Sequence, residues 1–291
     1  MIEKSSPGDM VFMSFNYILV TLVAITCLYP MVHVLMGSIS DPLRLMQHSG
    51  PLLWPLGFVT TGYEIVLQNP NIWIGYANTI YYVVVGTAVN IFFTTLGAYA
   101  LSRKNFMFKR TITIGIVFTM YFSGGMIPNF MLVQGLGLLN TRMALILPGA
   151  IATWNLIVMR TCFQHIPASL EESAKIDGAN DFTVLFRIFV PVAKATIAVM
   201  ILFYAVNHWN SWFPALLFIR DRGLLPLQMF LREILIGHAA GGNIAVDADR
   251  MHLEQVIRYS TIIVATVPIL FAYPFAQKYF ISGVMLGSLK E

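Results

Sequence analysis

Charge is the scarcest property of this sequence. Of its 291 residues, 18 are Lys or Arg and 14 are Asp or Glu, so 11% are charged while 57% are hydrophobic. A soluble domain carries about 25% charged residues, and a chain of this length folded in water needs a charged skin that these side chains are too few to make. This excludes a disordered tail, a collagen and an ordinary water-soluble enzyme, and leaves a polytopic membrane protein. The basic residues form no continuous run, so the net charge of +4 is topology information and not a nucleic-acid patch. Cysteine is nearly absent. Cys27 and Cys162 both lie in apolar surroundings, which excludes a disulfide framework and gives no metal site. The dipeptide Gly-Lys never occurs, so there is no Gly-x-x-x-x-Gly-Lys-Ser/Thr phosphate loop and the chain is not itself an ATPase of that kind. A His-Glu-x-x-His zinc motif is missing too, which speaks against an intramembrane metalloprotease.

The stretches between charges give the architecture. Asp9 to Asp41, Glu64 to Arg103, Arg110 to Arg142, Arg142 to Arg160, Lys194 to Arg220 and Arg258 to Lys278 are free of Asp, Glu, Lys and Arg. A spanning helix needs roughly 17–25 apolar residues, so six spans are expected, near 11–37, 75–101, 112–134, 143–162, 195–219 and 257–279. A further uncharged stretch, Arg44 to Glu64, holds Gly50, Pro51, Pro55, Gly57 and Gly62. Its backbone could not satisfy itself in lipid, so it is assigned to a loop or surface-lying segment. The first span is longer than a signal-peptide core of roughly 7–15 residues and is read as retained. Pro128, Pro148, Pro214, Pro268 and Pro274 can kink their spans, and Gly124-Gly125 can loosen the third.

Orientation follows the short loops. Lys4 precedes the first span; Arg103, Lys104, Lys109 and Arg110 follow the second; Arg160, Lys175, Arg187 and Lys194 follow the fourth; Lys278 and Lys290 lie in the tail. The other side has Arg44, Arg142 and one long loop carrying Arg220, Arg222, Arg232, Arg250 and Arg258. Both termini are therefore expected in the cytoplasm.

The cytoplasmic loop at 163–194 is not a simple turn. Pro167 suits a first helical turn, Ser169 with Glu172 matches a capping box, and Glu171 and Glu172 favour the positive end of a helix dipole. Gly178 is a C-terminal stop. Asn180 or Asp181 can cap a second helix running to about Phe189, with Phe182, Leu185, Phe186 and Phe189 as its apolar face, before Pro191 opens the next span. Such a hairpin fits two roles: an amphipathic element resting on the membrane, or a docking surface for a cytosolic partner. Ser173, Ala174, Gly178 and Ala179 allow close backbone approach and favour docking.

The spacing Glu172-Ser173-Ala174, three residues, Gly178, nine residues, Ile188, one residue, Val190-Pro191 resembles the EAA loop of ABC importer permeases, which reads Glu-Ala-Ala, three residues, Gly, nine residues, Ile, one residue, Leu-Pro. Ser173 and Val190 are the departures. The runs Phe122–Pro128, Gly137–Arg142 and His208–Phe213 are similar to carbohydrate importers of the maltose-permease type. Within them the chain, with its ending Gly283–Lys290, looks closest to the subgroup that takes up complex oligosaccharides, including uronic-acid polymers such as alginate.

The resemblance implies an all-α polytopic protein with six transmembrane helices and the type I ABC importer permease fold. It would comprise an N-terminal span and extracytoplasmic segment (1–70), a permease core (71–281) with its coupling hairpin at 167–190, and a cytoplasmic tail (282–291), in the bacterial cytoplasmic membrane. It implies a second homologous permease, two cytosolic ATPase subunits that bind ATP and Mg, and an extracytoplasmic solute-binding protein that delivers a carbohydrate. No cofactor would sit in this chain. The ATPase-coupling residues would be Glu171, Glu172, Ser173, Ala174, Asp177, Gly178, Ala179, Ile188 and Pro191, with Glu172 both capping and pairing with the ATPase.

Sugar sites combine aromatic faces with amide hydrogen bonds. Asn78, Asn90, Asn129, Gln134 and Asn155 fall in or near spans, but only Asn207, His208, Trp209, Asn210 and Trp212 offer both chemistries densely. Two readings fit them: a wall of the sugar path or outer gate, with Trp209 and Trp212 roughly on one face, and an interfacial aromatic belt with amides bonded to neighbouring helices. The outside loop 220–256, with Asp247, Asp249 and Arg250, is a place to meet the binding protein. A proton- or sodium-coupled carrier is the alternative class; against it, the span cores lack Asp, Glu, Lys and Arg, with His33 and His208 the ionisable exceptions.

Overall fold

The computed structural model describes residues 7–104, 106–237 and 253–271. The expectations for Asp247, Asp249 and Arg250 and for the tail 282–291 lie outside the described residues. Among the described residues the regular structure is helical, with no strand. Along the chain run α1 (Pro7–Ser38), α2 (Pro42–Gln47), α3 (Thr61–Gln68), α4 (Pro70–Tyr81), α5 (Thr87–Ser102), α6 (Lys109–Tyr121) and α7 (Met126–Gly135). They are followed by α8 (Thr153–Gln164), α9 (Ala168–Ile176), α10 (Asp181–Val184), α11 (Val190–Val192), α12 (Lys194–Trp209), α13 (Phe213–Phe218), α14 (Leu227–Gly237) and α15 (Leu253–Phe271). Two π-helical segments, Tyr82–Gly86 and Leu185–Phe189, join α4 to α5 and α10 to α11.

Among the described residues three helices are long and apolar enough to cross a membrane: Gly8–Ser38, Pro70–Ser102 and Leu253–Phe271. Two bent pairs raise the number to five if each is one span: α6 with α7, which meet at 118°, and Asp181–Val192 with α12, which meet at 86°. The expected count of six is not reproduced. The fourth stretch, 143–162, is interrupted: a 3₁₀ turn covers Arg142–Leu145, and α8 resumes only at Thr153. Pro148 and Gly149 lie in that gap, where proline removes a donor and glycine weakens a helix. The third stretch breaks at Gly125, whose φ of 89° is open to glycine.

The chain divides into two compact units, Met1–Asn69 with Glu233–Val267, and Pro70–Arg232 with Pro268–Glu291. In the first unit, α1 leaves its apolar side chains exposed from Met10 to Leu35, as a lipid-facing or partner-facing helix does. Its C-terminal end is tied by polar bonds. Ser38 Oγ lies 2.6 Å from Tyr63 Oη, and Ser260 Oγ donates to the Ser38 carbonyl at 3.3 Å. Asp41 caps α2 by accepting from the backbone N–H of Leu43 and Arg44. The stretch 48–60 between α2 and α3 is a loop, as its prolines and glycines require.

In the second unit α5 packs on α8, and the core joins Ala98, Leu101, Leu156, Met159, Phe163, Val184, Leu185, Phe189 and Met200. Polar side chains hold what apolar packing alone cannot orient in lipid. Asn90 donates to the carbonyls of Gly149 and Ala150 at 2.6 and 3.0 Å, and its Oδ1 lies 2.7 Å from Nε2 of the buried His208. Tyr204 Oη bonds Thr94 Oγ1 at 2.7 Å and accepts from the Ala152 N–H at 3.1 Å. Asn78 donates to the carbonyls of Gly223 and Leu225 at 2.7 and 3.1 Å, and Tyr82 to that of Leu224 at 2.7 Å.

The α4–α5 span comes so close to α12 that a Cβ on Gly86 would lie 2.5 Å from His208 Nε2 and 2.6 Å from its Cε1. Gly86→Ala is therefore expected to cost about 1–3 kcal/mol through overpacking, seen as a lowered unfolding temperature in detergent; Gly115→Ala, which meets nothing within 4 Å, serves as the control.

Candidate functional site

The hairpin at 167–190 is built by its own backbone chemistry. Pro167, with φ −55° and ψ 134°, takes the N-cap position of α9 without a side-chain bond. Ser169 therefore falls inside the first turn, and the expected capping box with Glu172 does not form. The C-terminus closes in a Schellman arrangement: the Gly178 N–H reaches the Lys175 carbonyl at 3.1 Å and the Ala179 N–H reaches that of Ala174 at 2.9 Å. Gly178 sits at φ 82°, where a side chain is strained. Asn180 then caps α10, its Oδ1 accepting from the Thr183 N–H at 2.8 Å.

Burial divides the hairpin into two faces. Ala174, Ala179, Val184, Leu185, Ile188 and Phe189 pack into the core of the second unit. Leu170, Glu172, Ser173, Ile176, Asp177, Gly178, Phe182, Phe186 and Pro191 are exposed. Ile176, at the tip, is 86% exposed. The single apolar face expected for the second helix is thus split: the π-helical turn at Leu185–Phe189 keeps Leu185 and Phe189 inward, while Phe182 and Phe186 face out.

Glu171, not Glu172, anchors the hairpin. Its carboxylate pairs with Arg103 and with Lys175 (2.9 Å), and Lys175 reaches Asp181 at 3.3 Å across the turn. Burial alone would raise the Glu171 carboxyl, but the hydrogen bonds and charges of Lys175 and Arg103 outweigh it and hold the group below its ordinary value. Hydrogen bonds from Glu171 and Asp181 push Lys175 up. Glu171, Lys175 and Arg103, with Tyr99, Glu172 and Phe182, line a cavity of about 980 Å³ beside the hairpin.

The second candidate group is dispersed. His208 is buried against Asn90. The Trp209 indole N–H is buried without a hydrogen-bond partner. α12 ends at Trp209, so Trp209 and Trp212 are not related by helical spacing. Asn207 is exposed, and Asn210 Nδ2 turns back to the Val206 carbonyl at 2.9 Å. Trp212 is half-exposed, meets Phe213 edge to face and carries the Arg232 guanidinium 4.9 Å from its ring centroid. Arg232 here, like Arg103 beside Glu171, carries in the sequence only the signal of a loop charge that sets topology.

Residues 93–286 match the family described as binding-protein-dependent transport system inner membrane component. The chain is 40% identical over 269 residues, 92% of its own length and 94% of the relative's, to the polygalacturonan/rhamnogalacturonan transport system permease protein YtcP of Bacillus subtilis. It is 42% identical over 271 residues to protein LplC of the same organism, covering 92% of this chain and 90% of that one. Its fold matches a chain of a bacterial ABC transporter involved in the import of the acidic polysaccharide alginate, with a TM-score of 0.87, 32% identity and coverage of 95% and 99% of the two chains. The helical architecture is thus that of a type I ABC importer permease.

The Glu171 pair makes the hairpin's attachment pH-dependent. A carboxyl held below its ordinary value stabilises the folded state above that value, and the contribution is lost as pH falls through the lowered one. Amide exchange in α9, corrected for intrinsic rate, is expected to rise as pH is lowered below about 4.5, and Glu171→Gln should raise it already at neutral pH and flatten this dependence.

Proposed function

This chain belongs to the family of binding-protein-dependent transport system inner membrane components, and from that premise we propose that it is the permease subunit of an ATP-driven importer of acidic oligosaccharides. The observation that carries the mechanism is the two-faced hairpin: one side built into the permease core, the other presenting Leu170, Glu172, Ile176, Phe182 and Phe186 outward around a glycine turn. Such a surface suits a cleft on a cytosolic ATPase. Exposed Glu172 is free to pair with a basic residue there, and Ile176 gives an apolar knob. Closure of an ATPase dimer on ATP would carry the hairpin with it and bias the spans between inward-open and outward-open states.

The assembly we envisage has this chain, a second homologous permease, two ATPase subunits holding ATP and Mg, and an extracytoplasmic binding protein that delivers substrate. Both termini lie in the cytoplasm. Six crossings are made, the fourth being the interrupted stretch 143–162. The acidic substrate class is supported by the names of the relatives above, one of a polygalacturonan/rhamnogalacturonan system and one of an alginate importer. Trp212 with Arg232 and Phe213 offers an aromatic face beside a guanidinium at the outer end of α12, a combination suited to a uronate ring. Of the other residues, Asn207 is exposed and extends this wall, while Trp209 and Asn210 are turned to the protein. His208 shapes it from behind.

Affinity purification from the native membrane is expected to bring down a second permease and an ATPase pair, and the reconstituted complex should import uronate oligosaccharides only with ATP and binding protein. Import by this chain alone, without ATP, would end the proposal. Gly178→Val, which places a β-branched residue at a positive φ, is expected to reduce uptake at least tenfold; full uptake in that variant would remove the coupling role from the hairpin.

A further inference from the structure

Arg103 stands immediately after the last residue of α5, and its guanidinium touches four elements. Nε and Nη2 donate to Ser102 Oγ at 3.0 and 2.8 Å, at the end of α5. Nη2 also donates to the Phe163 carbonyl in α8 at 3.3 Å. Nη1 pairs with Glu171 in α9. Its Cζ lies 4.3 Å from the ring centroid of Phe189, in the second arm of the hairpin, and 5.0 Å from that of Tyr99. The Arg103 and Glu171 side chains are only 18% and 16% exposed, so the pair is sheltered from the salt that screens surface charges. Two further cations fix the same helix end. Lys109 Nζ donates to the carbonyls of Ser102 and Arg103 at 3.3 and 3.1 Å, and Arg160 Nε to that of Leu101 at 3.2 Å.

We propose that Arg103 is the positioning residue through which hairpin movement enters the α4–α5 span, acting by way of Glu171. The proposal rests on the coupling role given to the hairpin above and adds the route. α9 is held to the rest of the chain by few buried groups of its own, since none of its residues is fully buried; the Lys175–Asp181 pair ties it to the second arm of the hairpin, and the Arg103–Glu171 pair is its charged attachment outside the hairpin. Arg103 transmits that attachment to the C-terminal end of α5. The same helix carries Asn90, which holds the 149–150 break and meets His208 of α12. A displacement of α9 thus reaches α5, α12 and the interrupted fourth stretch through contiguous contacts. Arginine is required because one planar group must serve Ser102, Phe163 and Glu171 while lying against two rings; a lysine ammonium reaches fewer of these acceptors and has no flat face for the rings.

The test uses the complete complex, with both permeases, the ATPase pair and the binding protein, in proteoliposomes. The readout is the number of oligosaccharides imported per ATP hydrolysed. Arg103→Gln and Glu171→Gln are each expected to lower that ratio about tenfold with ATPase subunits retained as in the wild type. The double variant should be no worse than either single one, because both remove one link. Arg103→Lys should recover part of the ratio. An unchanged ratio in Arg103→Gln, multiplicative losses in the double variant, or hydrolysis and import falling together with lost ATPase subunits would each overturn the proposal. If Arg103→Gln does not assemble, Glu171→Gln, which leaves the other guanidinium contacts in place, decides in the same way. A wild-type complex whose import is independent of ATP would bring down the coupling role of the hairpin itself, a failure separate from that of the Arg103 link.

Discussion

A backbone shut away from water, in a bilayer or against packed helices at its rim, must find within the protein a donor for each carbonyl released where a helix breaks. The second unit is arranged around that requirement. The break before α8 exposes the carbonyls of Gly149 and Ala150, and Asn90 takes both. The connection between α13 and α14 exposes those of Gly223, Leu224 and Leu225, and Asn78 and Tyr82 take all three. The end of α5 exposes those of Leu101, Ser102 and Arg103, and Arg160 and Lys109 take them. Each donor sits on a different helix or loop from the break it serves, or beyond the end it caps. Satisfying the backbone and fixing the tertiary structure are therefore the same act. The irregular segments do not weaken the fold; they supply the acceptors that orient it.

The hairpin obeys the opposite rule on its outer side. There water is available, the turn can close on its own N–H groups, and apolar side chains such as Ile176 and Phe182 are left for another surface. What distinguishes the two sides is where the charges end. Glu171 is sheltered and committed to Arg103 and Lys175, whereas its neighbour Glu172 is exposed. One helical step, about 100° of rotation, separates an internal anchor from a residue open to a partner.

Much of this was legible in the residues, and the reasons for the rest are physical. Gly178 and Asn180 were readable because a left-handed turn and an N-cap each select a residue type by local chemistry. The spacing to Ile188 and Pro191 makes the hairpin resemble a family's loop by residue pattern alone. The breaks at 122–125 and 146–152 were readable as kinks, from Gly124-Gly125 and Pro148, but not as ends of helices, because absence of charge reports residence in a membrane and not continuity of a helix. Ser169 misled because Pro167 took the cap one residue ahead of α9. Asn78, Asn90 and His208 are polar residues in apolar runs, a pattern that fits a sugar contact and a strut alike; the acceptors that decide are 59 to 147 positions away in sequence. Arg103 was hidden differently. A basic residue after a span satisfies the topology rule completely, leaving no residual signal for a second role.

The π-helical turn at Tyr82–Gly86 is an α-helix carrying one residue too many. Its effect is one of phase. Asn78 and Thr79, before it, face the 223–227 connection, and Asn90 and Thr94, after it, face the fourth stretch and α12. In an unbroken helix the second set would be turned by about 100° relative to the first. The span therefore works as two rotors locked at a chosen angle, and the wide turn that absorbs the supernumerary residue is the setting of that angle. Tightening the turn to regular α-helix with every residue kept would swing Asn90 away from both its carbonyls, whereas loss of one residue within it would return the segment to α-helix near its present phase, so the shape of this segment is constrained more tightly than its length is.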